Sequence, residues 1–312
     1  MIKVTIVVVS FNTRELLDRC IASVLEASPN VEKELIVVEN ASCDGSREML
    51  AEKYPMVRII ANDNNRGYAP ACNQGLREAR GEYVFALNSD AFLVKDALFT
   101  MVKYMDSNPE VGALGPRLLN ADGSIQHGCA RRSHTFLSQL VSLIPWFSLV
   151  PVVREYCGRH MPLDFYKQTN NVDVICGAAL FMRKSTLEKI GYFDEGLIVN
   201  SDDQEWCRRA RMADCKLVYL AEAEVIHIGY ASRGFDPCHM HYWNVRSLFR
   251  LYDIMYTWPA SVMLKCMMMT NITLVTLRNA VVAPFSTKRR KQAAFLWTLL
   301  ADTSKLAWRR PK

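Results

Sequence analysis

The chain has 312 residues, half of them hydrophobic and 22% charged, with a formal net charge of +6. That length can bury a sizeable core in one large domain or two, and the composition is that of an ordinary globular enzyme. The mild basic excess suits an acidic substrate or an anionic membrane surface. No nucleic-acid partner is expected, because no zinc-finger, basic-zipper or aromatic RNA-binding motif is present.

The start, MIKVTIVVVSFN, is short, rich in β-branched residues and lacks a cleavage-like end. It reads as a buried strand, Val4–Val9, rather than a secretion signal. A helix over Thr13–Glu26 follows, with Leu16, Leu17, Cys20, Ile21, Val24 and Leu25 at helical spacing. Next come a strand at Glu34–Val38, a helix at Ser46–Lys53, a strand at Val57–Ala61, a helix around Ala69–Arg80 and a strand at Tyr83–Leu87. Repeated βαβ units with continuous apolar strands predict an α/β fold, with a mainly parallel central sheet flanked by helices. Ligands in such sheets sit beyond the carboxyl ends of the strands. Polar residues gather there: Ser10 and Asn12, Glu39 and Asn40, Asn62 to Asn65, and Asn88 to Asp90.

The middle, Leu118 to Asn171, is less regular. Its uncharged run Phe136–Val153 is interrupted by Pro145 and Pro151 and is marginal against the ~20 residues a spanning helix needs. A mobile apolar flap, or a segment dipping into a membrane interface, is favoured over a transmembrane helix. The tail from His239 to Lys312 is helical in pattern. Lys265 and Arg278 interrupt its apolar region 254–285, so a spanning helix is not favoured there either. Basic runs Lys288–Lys291 and Arg309-Arg310 flank apolar stretches, as in a helix lying on an anionic leaflet. A helical extension packed on the core, with solvated charges, is the competing reading. The ten cysteines form no CxxC pair and are irregularly spaced. Zinc binding and a disulfide framework are therefore not expected, and the thiols read as reduced in the cytosol.

Three polar sets carry chemistry. Asn88-Ser89-Asp90 ends a strand, where a carboxylate could hold a hard divalent cation; a turn or helix cap is the alternative. Asp202, Asp203 and Glu205 open a helix. One or two acids there suit the helix dipole, but three in four residues repel unless solvated, counter-charged or metal-bound. One with a raised pKa could accept a proton from a sugar hydroxyl. His227 ends another apolar strand, as a structural residue or a metal ligand. Asn64, Arg66, Gly67 and Tyr68 supply a turn with a guanidinium that could meet phosphate. No GxSxG, HExxH or GxxxxGK[ST] occurs, and the first strand is not followed by GxGxxG, which argues against a dinucleotide oxidoreductase.

Taken in order, the stretches VVSFNTRELLDRCIASVL, IVVENASCDGS, NDNNRGYAPACNQGL, YVFALNSDA, VGALGPRLLNADGSIQ, CGAALFMRKSTLEKIGYFDE, SDDQEWCRRAR and AEVIHIGYAS resemble glycosyltransferase family 2 in its rhamnosyltransferase-like branch. The resemblance implies a GT-A nucleotide-sugar-binding domain over 1–238, with 1–117 mainly nucleotide-binding and 118–238 mainly acceptor and catalytic. A helical, membrane-associating extension over 239–312 would follow. It also implies an inverting transfer dependent on a divalent metal, manganese or magnesium, with Asp90 and His227 as ligands. Asn88 stands where the family's DXD-type motif has its first acid. Asp203 would be the catalytic base, with Asp202 and Glu205 as further active-site acids. Ser10, Asn12, Glu39, Asn40, Asp44, Asn65, Arg66, Asn73 and Asn88 would bind the donor. Glu39 stands where an Asp usually contacts the nucleotide base. The implied donor is dTDP-rhamnose, with UDP-sugars next. The implied acceptor is a polyprenyl-diphosphate-linked glycan at the cytoplasmic membrane face, where Arg131 and Arg132 could meet its diphosphate. A non-catalytic nucleotide- or glycan-binding module and a nucleotidyltransferase are the competing functions.

Overall fold

The computed structural model describes residues 2–144, 161–198, 200–229 and 237–282. The strands are β1 (Val4–Ser10), β2 (Lys33–Glu39), β3 (Arg58–Ala61), β4 (Tyr83–Asn88), β5 (Ala91–Leu93), β6 (Val111–Leu119), β7 (Ala130–Arg131), β8 (Asn170–Asn171), β9 (Val174–Ile175), β10 (Ala179–Arg183) and β11 (Lys216–His227). The helices are α1 (Arg14–Glu26), α2 (Ser46–Lys53), α3 (Tyr68–Arg77), α4 (Ala97–Ser107), α5 (Phe136–Ser142), α6 (Lys184–Ile190), α7 (Asp202–Met212), α8 (Pro237–Met255) and α9 (Trp258–Val282). The expected elements of the first ninety residues are all present, with ends shifted by at most three residues.

The chain divides into two compact units. The first comprises Met1–Ser133, Arg159–Glu195 and Asp202–Gly234. Its main sheet has the order β3-β2-β1-β4-β10-β6-β11-β5, with β8 paired to β11. Strands β3, β2, β1 and β4 are mutually parallel. The run Val4–Val8 is buried, as expected of a parallel strand covered on both faces. Each fully buried aliphatic side chain of this kind contributes about 1.5–3 kcal/mol. Strand order reverses at β1, which lies between β2 and β4. The ligand crevice of such a sheet opens at that reversal, beyond the carboxyl ends of β1 and β4.

Beyond β4 the parallel pattern breaks. Strand β10 enters antiparallel to both β4 and β6. Phe181 on β10 pairs directly across from Phe85 on β4, with ring centroids 5.6 Å apart, and also packs near Tyr83 at 5.3 Å. Such cross-strand aromatic pairs pin the register. Strand β11 returns parallel to β6 and carries β5 antiparallel on its far end, with Ala91 opposite His227. A separate two-stranded ladder pairs β7 with β9, Arg131 opposite Val174. Cys20, Cys43, Cys72, Cys129, Cys176, Cys207, Cys215 and Cys266 are free thiols.

The second unit comprises His134–Gly158, Gly196–Ser201 and Phe235–Lys312. Helix α5 starts with a capping box formed by Thr135 and Ser138. Val245, Phe249, Tyr252, Leu264 and Ile272 form a core on α8 and α9. Buried Lys265 places its ammonium 2.6 Å from both carboxylate oxygens of Asp253, and Ser261 donates to the same carboxylate. The cation that interrupts the apolar tail is thus neutralised inside the unit. Trp258–Arg278 is long and apolar enough, by length and composition alone, to cross a membrane. Most of the uncharged run Phe136–Val153 beyond α5, and the basic runs at 288–291 and 309–310, lie outside the described residues.

Candidate functional site

The ends of β1, β2 and β4 form one hydrogen-bonded platform. Buried Ser10 lies 3.1 Å from the Thr13 hydroxyl, which donates to Ser89 at the end of β4. Asn12 takes a positive φ of 52°, a conformation that asparagine tolerates better than most residues. Its Oδ1 accepts from the Cys43 amide, and its own amide donates to Ser42 Oγ. Asp44 accepts from the Arg14 amide at the start of α1 and from both the amide and hydroxyl of Ser46 at the start of α2. Asp44 therefore satisfies two helix N-termini at once. Glu39 is fully buried; it accepts from the Ser42 amide and pairs with Arg47 at 3.0 Å.

A second cluster builds the wall after β3. Asn40 donates to Asn65 Oδ1 and to the Gly67 carbonyl, and accepts from Asn62 and from the Arg66 amide. The Arg66 side chain is exposed. Buried Asn73 donates to the Phe193 carbonyl and to Glu195, and accepts from the Phe193 amide. Asn73 thus ties α3 to the 193–195 loop, a structural task its donor-binding expectation did not include.

Asp90 and His227 meet because β5 pairs with β11. Nε2 of His227 lies 3.4 Å from Asp90 Oδ1 and 3.5 Å from Asn88 Nδ2. On the other side of the ring, Nδ1 lies 2.7 Å from Gln126 Oε1. Gln126 Nε2 donates to the His227 carbonyl and to Asn120 Oδ1, so its oxygen faces the ring and Nδ1 carries the hydrogen. In the neutral ring, the Nε2 lone pair is therefore turned toward the carboxylate. An oxygen and an imidazole nitrogen so opposed form a donor pair that fits a divalent cation, with Gln126 as the outer partner that fixes the tautomer. Among the described residues, no group of three or more His, Cys, Asp or Glu side chains gathers around a metal-sized site. Two protein ligands would leave further positions to phosphate oxygens and water.

The acidic helix α7 lies on the other side of two residues, Gly177 and Ala178. The Asn88 amide donates to the Ala178 carbonyl, and the Gly177 amide donates to Asp203 Oδ2 at 3.0 Å. Asp202, Asp203 and Glu205 are all buried in the first turn of α7. Glu205 is held by both Nε and Nη2 of Arg209, whose guanidinium also donates to the Ile190 and Tyr192 carbonyls. Asp203 is ion-paired with Arg131. Burial, and then the charge of Asp203, push the Asp202 carboxyl well above the usual carboxylate range, while the charge of Arg131 acts in the opposite direction. Two of the three acids are therefore counter-charged, and burial makes the third, Asp202, harder to ionise.

Arg131 was expected to meet an acceptor diphosphate; its guanidinium instead faces Asp203. Arg132 is exposed. Sequence reasoning did not single out Gln126 or Gly177. Both lie in stretches that matched the family pattern, but nothing local tells that Gln126 sits beside a histidine 101 residues away.

The model of the family described as Glycosyl transferase family 2 matches residues 5–191, more than half of the chain. The chain belongs to glycosyl transferase family 2. The family member is 27% identical to the N-acetylglucosaminyl-diphospho-decaprenol L-rhamnosyltransferase of Mycobacterium tuberculosis, over 74% of this chain and 78% of that protein. It is also 25% identical to the poly-beta-1,6-N-acetyl-D-glucosamine synthase of Staphylococcus epidermidis, over 68% of this chain but 47% of the synthase. Among solved structures it resembles the mannosyltransferase PcManGT from Pyrobaculum calidifontis in complex with GDP-Man and Mn2+ (TM-score 0.54, 19% identity, 98% of this chain and 87% of that one). A second is GalNAc-T7 with UDP, GalNAc and Mn2+ (TM-score 0.55, 15% identity, 81% and 51%). These likenesses bear out the GT-A fold, and the family assignment makes the protein a glycosyltransferase.

Proposed function

We propose that this glycosyltransferase moves L-rhamnose from a nucleoside-diphosphate donor, dTDP-rhamnose before UDP-sugars, to a hydroxyl of a polyprenyl-diphosphate-linked glycan, with inversion at the anomeric carbon. The reading rests on one observation. The Asn88 amide, next to the Asp90–His227 pair, donates to the Ala178 carbonyl, and the Asp203 carboxylate accepts from the amide of the neighbouring Gly177, at the point where the parallel sheet opens its ligand crevice. The mycobacterial relative, named for L-rhamnosyl transfer to a diphospho-decaprenol sugar, supports the choice of donor and acceptor.

In this reading the nucleoside lies over the Ser10, Asn12, Glu39 and Asp44 platform, with Asn40, Asn65, Arg66 and Asn73 shaping the adjoining wall. Asp90 and His227 hold manganese or magnesium, which when bound neutralises the charge that builds on the leaving diphosphate. Gln126 orients His227 from the other side of the ring, and Asn88 lies beside the pair with its amide toward the donor. Asp203 takes the proton of the acceptor hydroxyl as that oxygen attacks the anomeric carbon from the face opposite the diphosphate. No sugar–enzyme bond forms. Asp202, whose carboxyl is pushed by burial well above the usual carboxylate range, lies beside the base, and Glu205 with Arg209 fixes the helix that carries it.

The test is a thermal-shift panel of nucleotide sugars with manganese or magnesium, followed by assay of the released product. A rise in Tm specific to dTDP-rhamnose, with dTDP released only when acceptor is present, is expected. Pyrophosphate release from a nucleoside triphosphate would replace this reading with nucleotidyl transfer. Donor binding without any turnover would make the protein a binding module.

The site of action is the inner face of the cell membrane. Trp258, Met263, Leu274, Val275 and Leu277 are exposed large apolar side chains on α9, and the basic tail adds charge suited to an anionic leaflet. The full chain should float with phosphatidylglycerol vesicles and less with purely zwitterionic ones. The triple change Trp258→Ser, Leu274→Ser, Leu277→Ser should weaken that flotation. A wild-type chain that stays at the bottom of the gradient with both vesicle types would remove the membrane claim.

A further inference from the structure

We propose that Arg131 is a positioning residue for the transfer reaction, clamping the Asp203 carboxylate against the Gly177 amide. This rests on the reading of Asp203 as the proton acceptor.

Three donors reach the Asp203 carboxylate from different elements. The Arg131 guanidinium comes from β7 and the Gly177 amide from the turn before β10, both onto Oδ2. The Gln204 amide, 2.7 Å from Oδ1, comes from α7 itself. The side chains of Arg131 and Asp203 are only 17% and 12% exposed, so their pairing is not a solvated surface contact. Arg131 Nε is buried and meets no acceptor among the described residues, which leaves Asp203 as the group that directs the guanidinium.

The stem of Arg131 is fixed from several sides. Strand β7 is laddered to β9, and the Cys176 amide donates to the Cys129 carbonyl. The Ile175 amide donates to Cys207 Sγ on α7. Asp173 bridges the Ser133 amide and Arg211 at the far end of α7. Helix α7 and the Arg131 strand are therefore tied together. A two-residue strand with so much reinforcement suits a guanidinium whose reach must stay constant.

The charges around the acids point the same way. Tyr68 and Cys72 from α3, Cys176 before β10 and Cys207 on α7 all face the acidic pair, and desolvation first of all pushes each of them up. They carry no charge at neutral pH. Arg131 supplies the positive charge that bears on both Asp202 and Asp203. Arg131 holds down the Asp202 carboxyl beside Asp203, so removing the cation raises the pH at which Asp202 takes up its proton.

The experiment compares Arg131→Gln, Arg131→Lys and Gly177→Ala in the full chain, reading kcat and KM against pH, donor binding and Tm. Arg131→Gln should lower kcat on the order of 10²-fold, leave donor affinity unchanged and move the acidic limb of kcat/KM to higher pH. Arg131→Lys keeps the charge, so its limb should stay near the wild-type position while kcat falls less. Gly177→Ala places a Cβ 3.3 Å from Asp203 Cβ and 3.7 Å from Oδ2, crowding the carboxylate with Arg131 intact. It should lower kcat without moving the limb. If Arg131→Gln folds and its limb stays in place, or its kcat is unchanged, the clamp is refuted. If Arg131→Gln does not fold, an Arg131→Lys kcat equal to wild type refutes it. Failure of the underlying reading shows separately, as normal turnover in Asp203→Asn.

Discussion

Replacing Asp203 by asparagine is expected to lower kcat by about 10²–10⁴-fold, the contribution of a well-placed general base. The change is isosteric. The one remaining amide oxygen can accept from the Gly177 amide or the Gln204 amide but not from both, while the first turn of α7 keeps its backbone bonds. What is lost is the negative oxygen that can take a proton from the acceptor hydroxyl. Donor binding should persist, because the Ser10–Asn12–Glu39–Asp44 platform and the Asp90–His227 pair are untouched. The check is steady-state turnover alongside donor affinity from thermal shift. Donor affinity lost while turnover per bound donor survives would take the base assignment away from Asp203.

Asp90→Asn should have an effect of similar size through a different step. Asparagine keeps the shape of the side chain and removes the charge facing His227. The part of donor affinity that depends on manganese or magnesium should vanish, so that chelator no longer weakens donor binding in the variant as it does in the wild type. Turnover should fall by about 10²–10³-fold, as when one stabiliser of developing negative charge is removed. Gln126→Leu should cost less, on the order of 10–100-fold in metal affinity, since it frees the imidazole to turn without removing a ligand. Calorimetric titration of the metal in the presence of dTDP reads both variants. Unchanged metal binding in Asp90→Asn would place the ion elsewhere.

The three acids of α7 illustrate how far residue types alone carry the argument. Their spacing stated the problem, which was like charge in one helical turn, and the possible remedies. The structure distributed those remedies unequally. Arg209 lies four residues from Glu205 on the same helix, so that pair was legible from helical spacing. Arg131 lies 72 residues from Asp203, so the second pair was not. Asp202 received no cation of its own, and burial moved its titration instead.

The β1 to β4 half of the sheet was legible for a local reason. Each strand there is a short apolar run and each helix keeps a 3.6-residue period, so consecutive βαβ units specify their own parallel pairing. The same runs each end in polar residues, so Ser10, Asn12, Glu39 and Asn88 fall at strand ends by sequence alone. Strand order beyond β4 had no such local marker. A run such as Ala179–Arg183 satisfies either direction, and its antiparallel place between β4 and β6 followed from packing Phe181 against Phe85 and Tyr83. That insertion sets Gly177 and Ala178 between the end of β4 and the start of α7. The β5–β11 pairing then brings His227 to Asp90. Residue chemistry and short-range periodicity are written along the chain. Which distant groups share a crevice depends on long-range strand order and burial, and those exist only once the whole sheet has closed.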